Sequence, residues 1–182
     1  MIGSKMNRRR AFTLLASVFC LSLAGMAVYG QSIGGAHLRP QHREFVNNFL
    51  ASPEGGMRDY RVAVEKDCSD KEGLQEARGN VGKSYHPYYA LGDFNQDGIQ
   101  DFAIVFVKKA DRASDRFKIV IFEGLASKSF TAKWNSEDMN MGSMGIFYTD
   151  DHGLYYGGFQ AEDCIRLKPF RGGYAEESCK DQ

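Results

Sequence analysis

The order of the sequence patterns predicts an α+β fold in which helices come first and strands follow. Two segments with helical features precede residue 85, and after it short apolar stretches alternate with polar turns. Helices and strands that are segregated along a chain are typical of an antiparallel sheet covered by helices. We therefore expect one antiparallel sheet of about five to seven strands, with both N-terminal helices packed on one face.

The first helix is expected from about Pro40 to Ala51, since a proline in the first turn loses no hydrogen bond. The positions that share one face of this helix are His42, Phe45, Val46, Phe49 and Leu50. A second helix should begin at a capping box formed by Ser69 and Glu72 and end near Gly79. Strands are expected over residues 60–64, 85–91, 102–107, 117–122, 130–134, 145–149, 153–159, 165–170 and 174–175.

Residues 1–30 have the pattern of a cleavable export signal. Four basic residues, Lys5 and the run 8–10, precede an uncharged apolar stretch over residues 11–28, and small residues suit cleavage after Ala27 or Gly30. Both the general route and the twin-arginine route remain open, and an uncleaved membrane anchor is the alternative. We expect removal of this signal, a linker over 31–37 and a single domain over 38–182. The expected location is periplasmic or extracellular.

The charge pattern excludes one class of partner. The chain has 23 Lys and Arg against 23 Asp and Glu, and loss of the basic signal would leave the mature chain mildly acidic. After the signal there is no basic block of the kind that binds nucleic acid, and no stretch is apolar enough to enter a membrane. A protein or a glycan is therefore the expected ligand.

Residues 92–101 place oxygen-bearing side chains at alternate positions in a short loop between two expected strands. Gly98 permits the sharp turn that such a loop needs. Calcium takes six or more oxygen ligands at about 2.3–2.6 Å, and this spacing can supply them. The expected ligands are the side chains of Asp93, Asn95, Asp97 and Asp101 and the carbonyl oxygen of Ile99. A polar hairpin turn without a metal is the alternative.

The stretch 92–105, GDFNQDGIQDFAIV, resembles the calcium loop of the FG-GAP and VCBS-type repeats. These repeats occur in integrin-like β-propellers and in many secreted bacterial proteins. The resemblance implies the same ligand roles for the five residues named above, and Ca²⁺ as the bound ion. It covers this stretch only, and the motif occurs once in the chain.

Three cysteines follow the signal: Cys68, Cys164 and Cys179. In an oxidising compartment we expect one disulfide and one remaining thiol. A hairpin that turns at residues 171–172 would set Cys164 opposite Cys179 at a distance suited to a disulfide. Because Cys179 lies in a polar tail that can fray, we favour the pair Cys68–Cys164 slightly.

Two further clusters are candidate sites. Met139, Met141 and Met144 have thioethers suited to Cu(I), which would give a periplasmic copper binder, or they fill gaps in the core. Tyr85, Tyr88 and Tyr89 could stack on a sugar ring or a peptide, or they pack around the loop. The segment Asp150-Asp151-His152 is interpreted as a polar turn.

The sequence contains no motif of a serine hydrolase, a zinc protease or a phosphate-binding loop, and its four histidines are scattered. Whether the protein is an enzyme is left uncertain. We favour a non-enzymatic binding or inhibitor module with a structural calcium loop. A secreted calcium-dependent hydrolase is the first alternative, and the copper binder is the second.

Overall fold

The computed structural model describes residues 35–53, 56–110, 116–149, 151–159 and 164–181. The expected signal, the first part of the linker and Asp150 lie outside these residues. The helices are α1 (Pro40–Ala51) and α2 (Lys71–Val81). The strands are β1 (Tyr60–Val62), β2 (Tyr89–Gly92), β3 (Asp101–Lys108), β4 (Phe117–Gly124), β5 (Phe130–Asn135), β6 (Met144–Tyr148), β7 (Leu154–Gly158), β8 (Cys164–Phe170) and β9 (Gly173–Ser178).

Both helices have ends that their sequences explain. Helix α1 has Pro40 in its first turn and ends where the N–H of Ser52 donates to two carbonyl oxygens of the last turn. Helix α2 is capped by Asp70, whose carboxylate accepts the N–H of Gly73 at 2.8 Å. The expected cap at Ser69 is therefore wrong by one residue. In the part of the chain that the structure describes, no helix has the length and apolar character needed to cross a bilayer.

The strands form two antiparallel sheets instead of the single sheet that we expected. In the first sheet, β1 and β2 both pair with one edge of β3, and β4 and β5 follow on the other side. The second sheet is a meander of β6, β7, β8 and β9. The α+β class and the antiparallel pairing are confirmed, whereas the single sheet is wrong.

The chain changes sheets after β5. Beyond β5 the chain continues in the same direction alongside β4, where Phe117 and Met139 exchange two backbone hydrogen bonds of 2.9 and 3.0 Å. Strand β6 then starts beside β2, where the N–H of Ile146 donates to the carbonyl oxygen of Pro87 at 2.8 Å. The segment between β5 and β6 is therefore a crossover, although its sequence has no feature that distinguishes it from a long hairpin loop.

The two helices pack on opposite faces of β3, which corrects the expectation that they share one face. Phe102, Ile104 and Phe106 belong to the first core, which also contains α1 residues, including Val46 and Leu50. The intervening residues Ala103, Val105 and Val107 belong to the second core, which contains Leu74 and Ala77 of α2 and the inner face of the second sheet. Because β3 is buried on both faces, it reads as a continuous apolar run.

His42 of α1 is fully buried in the first core. Its ring stacks on Phe102 with 4.2 Å between centroids, and Nδ1 lies 2.6 Å from the hydroxyl oxygen of Tyr89. Burial lowers the pKa of His42 to about 4, and the positive charge of Arg39 adds to this effect. His42 is thus a neutral member of the core at physiological pH.

The disulfide joins Cys164 and Cys179, so the pairing Cys68–Cys164 is wrong. Strands β8 and β9 pair from Phe170 opposite Gly173 to Ile165 opposite Ser178, and the next pair in this register is the two cysteines. Their Cα atoms lie 5.3 Å apart. Residues 176–178 of the polar tail belong to β9, and Cys179–Asp181 form a short 3-10 helix after it. Cys68 is a free thiol buried in the second core, and burial raises its pKa.

Candidate metal centre and adjoining cavity

The candidate metal loop, residues 93–100, joins two strands that pair directly with each other. Gly92 at the end of β2 lies opposite Asp101 at the start of β3, so this pair closes the base of the loop. The sequence expectation of a loop between consecutive antiparallel strands is met. All the expected ligand residues therefore lie within one tight turn or at its base.

Backbone N–H groups hold the side chains of the loop inward. The two carboxylate oxygens of Asp93 accept the N–H groups of Asp97 and Gly98 at 3.0 and 2.8 Å. The side-chain oxygen of Asn95 accepts the N–H of Asp97 at 3.1 Å. Asp97 in turn accepts the N–H of Ile99 at 2.8 Å. Such turns order the loop before any cation binds.

Two residues of the loop adopt a left-handed backbone conformation. Gly98 has φ +84°, as its role in the turn predicts. Gln96 has φ +60°, which side chains resist. Sequence reasoning did not identify Gln96, because no sequence pattern distinguishes a strained glutamine from an ordinary loop residue. Gln96 thus has its left-handed conformation in a loop where three backbone N–H groups, those of Asp97, Gly98 and Ile99, donate to side chains.

Asp101 is fully buried and ties the loop to the adjacent strand. One carboxylate oxygen accepts the N–H of Phe94 at 2.8 Å, and the other accepts the N–H of Gly124 at the end of β4 at 2.9 Å. Burial raises the pKa of Asp101 to about 6, and the nearby charge of Glu123 adds to the rise, while the two N–H donors oppose it. Asp101 therefore has a structural role in addition to its expected role as a ligand.

The residues of the loop suit a calcium ion in their chemistry. Each carboxylate oxygen that accepts one N–H keeps a second lone pair for a cation. Neither Asp93 nor Asp97 forms an ion pair with a Lys or Arg that the structure describes, so a hard cation would compensate their charge. However, no group of three or more His, Cys, Asp or Glu among the described residues has a metal-binding arrangement. The ligand set remains a prediction.

The three candidate tyrosines do not form one surface. Tyr88 is in the second core, and its hydroxyl donates to the carbonyl oxygen of Met141 at 3.0 Å. The rings of Tyr85 and Tyr89 instead line a cavity of about 500 Å³. Tyr85 stacks on Phe147 of β6, with 5.1 Å between ring centroids and an interplanar angle of 7°. Tyr85 and Tyr88 thus belong to the same core, and Tyr85 and Tyr89 contribute to the wall of the cavity.

The wall of this cavity is in contact with the candidate metal loop. Phe94 of the loop is buried against Tyr148 of β6, with 5.4 Å between ring centroids. Gly92 permits this contact, because a Cβ atom there would lie 2.5 Å from the Tyr148 ring. At the other end of the loop, Gln100 accepts a hydrogen bond from Arg39, which also lines the cavity.

Sequence reasoning missed most of the cavity. Four residues that line it had no expected role there. His37 was assigned to a linker, Arg39 lies just before the expected helix start, and Phe147 and Tyr148 were assigned to a strand. They meet because β6 of the second sheet lies beside β2 of the first. This contact between sheets has no local sequence signal.

The methionine cluster packs as core. Met141 is fully buried, and the partly buried Met139 and Met144 pack against the same cluster. This placement fits the reading in which flexible side chains fill gaps.

The described part of the segment 150–152, Asp151 and His152, lies in the turn between β6 and β7. There Asp151 accepts a hydrogen bond from the Tyr155 hydroxyl at 2.8 Å.

Models of known protein families, curated proteins and solved structures show no match to this chain.

Proposed function

We propose that the protein is an exported binding module whose fold is stabilised by one calcium ion in the loop 93–101. The observation that carries this proposal is that Asp93, Asn95 and Asp97 lie within a single turn, where their side-chain oxygens accept backbone N–H groups of the loop. Because these hydrogen bonds already order the loop, an ion would bind at little cost in conformational entropy.

The position of the loop favours a structural role for the ion. Strand β3, which begins at Asp101, contributes alternate residues to both cores. The carboxylate of Asp101 holds the loop to β4 through Gly124. An ion that fixes the loop would therefore restrain the first sheet at its centre.

The lining gives only partial support to hydrolysis. Among the described residues it includes two histidines, His37 and His86, which could act as general acids or bases, but no Asp or Glu that would orient either ring. Copper binding has less support, because the three methionines contribute to the core.

Thermal unfolding of the mature protein with calcium or with a chelator tests the proposal. A ligand that binds only the folded state at about a hundredfold excess over Kd adds about 2.7 kcal/mol. For a domain of this size, we expect calcium to raise the melting temperature by several degrees. Asp97→Ala should abolish the rise. The control variant Asp59→Ala, at an exposed position outside the loop, should leave it intact.

Equal melting temperatures in millimolar calcium and in chelator would refute the calcium site. A calcium response that survives Asp97→Ala would locate the ion elsewhere. Magnesium is a useful comparison, because its smaller octahedral shell should make it a poor substitute.

A further inference from the structure

We infer that the cavity between α2, β2 and β6 binds an acidic saccharide, that is, a sugar ring that carries a carboxylate. This inference rests on the proposed function, since it specifies the ligand class of the binding module. Three features of the lining lead to it: its aromatic rings, its hydrogen-bonding side chains and its uncompensated positive charge.

The size and the rings of the cavity suit a sugar. Its volume of about 500 Å³ is in the range of small-ligand sites. Four aromatic side chains contribute to its walls: Tyr85, Tyr89, Phe147 and Tyr148. Aromatic rings offer flat apolar surfaces on which the C–H face of a sugar can pack.

The hydrogen-bonding groups of the lining favour a ligand with hydroxyl groups. Ser84 and His86 line the cavity. A hydroxyl both donates and accepts, and so it can pair with the serine hydroxyl and with either tautomer of His86. An aromatic acid would fill the space but would leave most of these groups without partners.

The charge of the lining favours an anion. Arg39 lines the cavity, and its guanidinium donates to the neutral side chain of Gln100. Among the described residues Arg39 makes no ion pair, and the cavity lining includes no acid. A carboxylate on the ligand would provide the missing partner through charge-assisted hydrogen bonds.

Isothermal titration calorimetry on the mature protein, with calcium present, provides the test. The probes are short oligomers of galacturonate, short oligomers of mannuronate and a glucuronate-containing disaccharide. The methyl ester of each probe serves as a neutral control, and 4-hydroxybenzoate represents the aromatic acids. We expect at least one uronate probe to bind with a Kd in the millimolar range or tighter, and its ester to bind about tenfold more weakly.

Two pairs of variants place the binding in the cavity. Arg39→Gln should weaken uronate binding about tenfold, while the same change at the exposed Arg58, outside the lining, should not. Val81 lines the cavity and is 58% exposed, so its replacement should not disturb the fold. Val81→Glu should weaken binding several-fold by charge repulsion, and Val81→Gln should have little effect.

The inference is overturned if no uronate probe binds, if 4-hydroxybenzoate alone binds, or if binding is unchanged in both Arg39→Gln and Val81→Glu. A calcium-dependent melting temperature without uronate binding would refute this inference and leave the calcium loop standing. Uronate binding without any calcium effect on melting would support the ligand class and refute the calcium loop.

Discussion

Replacing Asp101 with alanine should destabilise the protein even when no calcium is present. The carboxylate accepts the N–H groups of Phe94 and Gly124, and all three residues are buried. Each buried donor left without a partner costs about 1–3 kcal/mol, so the free energy of unfolding should fall by about 2–6 kcal/mol. For a domain of this size, that corresponds to a fall in melting temperature of roughly 5–20 °C.

Urea unfolding in chelator, followed by the fluorescence of Trp134, measures this loss. Trp134 is the single tryptophan of the chain and packs against the second core, so its emission reports on folding. Asp101→Asn retains one acceptor oxygen and should lose about half as much stability. Asp97→Ala removes exposed hydrogen bonds only and should lose less than about 1 kcal/mol in chelator.

A different result would contradict this account of the loop. The free energy of unfolding of Asp101→Ala in chelator could lie within about 1 kcal/mol of that of the unmodified protein. In that case the buried N–H groups find other partners, and the carboxylate is not the link between loop and sheet. If Asp97→Ala loses as much stability as Asp101→Ala, the exposed part of the loop contributes more than its hydrogen bonds indicate.

Three further predictions concern the core. In the mature protein without reductant, a thiol reagent should label one cysteine, Cys68, and only after unfolding; labelling of three would exclude the disulfide. The folded-state pKa of His42 lies below its unfolded value of 6.5. Its contribution of about 3 kcal/mol to the free energy of unfolding should therefore be present above pH 6.5 and be lost towards pH 4. Because His37 and Asp101 titrate in the same range, the loss is measured by urea unfolding as the change, between these pH values, in the difference in free energy of unfolding between the unmodified protein and His42→Leu. Gly145→Ala should destabilise by about 1–3 kcal/mol, because the new Cβ would collide with the Tyr85 hydroxyl, whereas Gly79→Ala in α2, with open space around it, should stabilise by up to about 1 kcal/mol in the same assay.

Local features of the chain were predictable because short-range physical chemistry determines them. The bounds expected for α1 match Pro40–Ala51, since the proline start and the apolar spacing are both local signals. Strands β3 and β4 lie within two residues of their expected limits. The position of the candidate metal loop follows from the spacing of oxygen-bearing residues around Gly98, and it needs no knowledge of the rest of the fold.

The cysteine pairing shows how a correct geometric premise led to a wrong conclusion. The register expected for a turn at residues 171–172 is the register that β8 and β9 adopt, and it sets Cys164 beside Cys179. The polar composition of the C-terminal tail suggested fraying and favoured Cys68. Residues 176–178 of this tail pair with β8, and a polar composition is compatible with a strand that has one exposed face.

The long-range arrangement was decided by the tertiary structure. The continuous apolar run of β3 shows that both of its faces are buried, but it does not show which helix covers which face. The chain continues along β4 after β5, so β6 starts a second sheet beside β2, and this contact brings Arg39, Tyr89 and Tyr148 around one cavity. Such contacts depend on the packing of segments that are distant in sequence, and the pattern within each segment is the same whichever partner it meets.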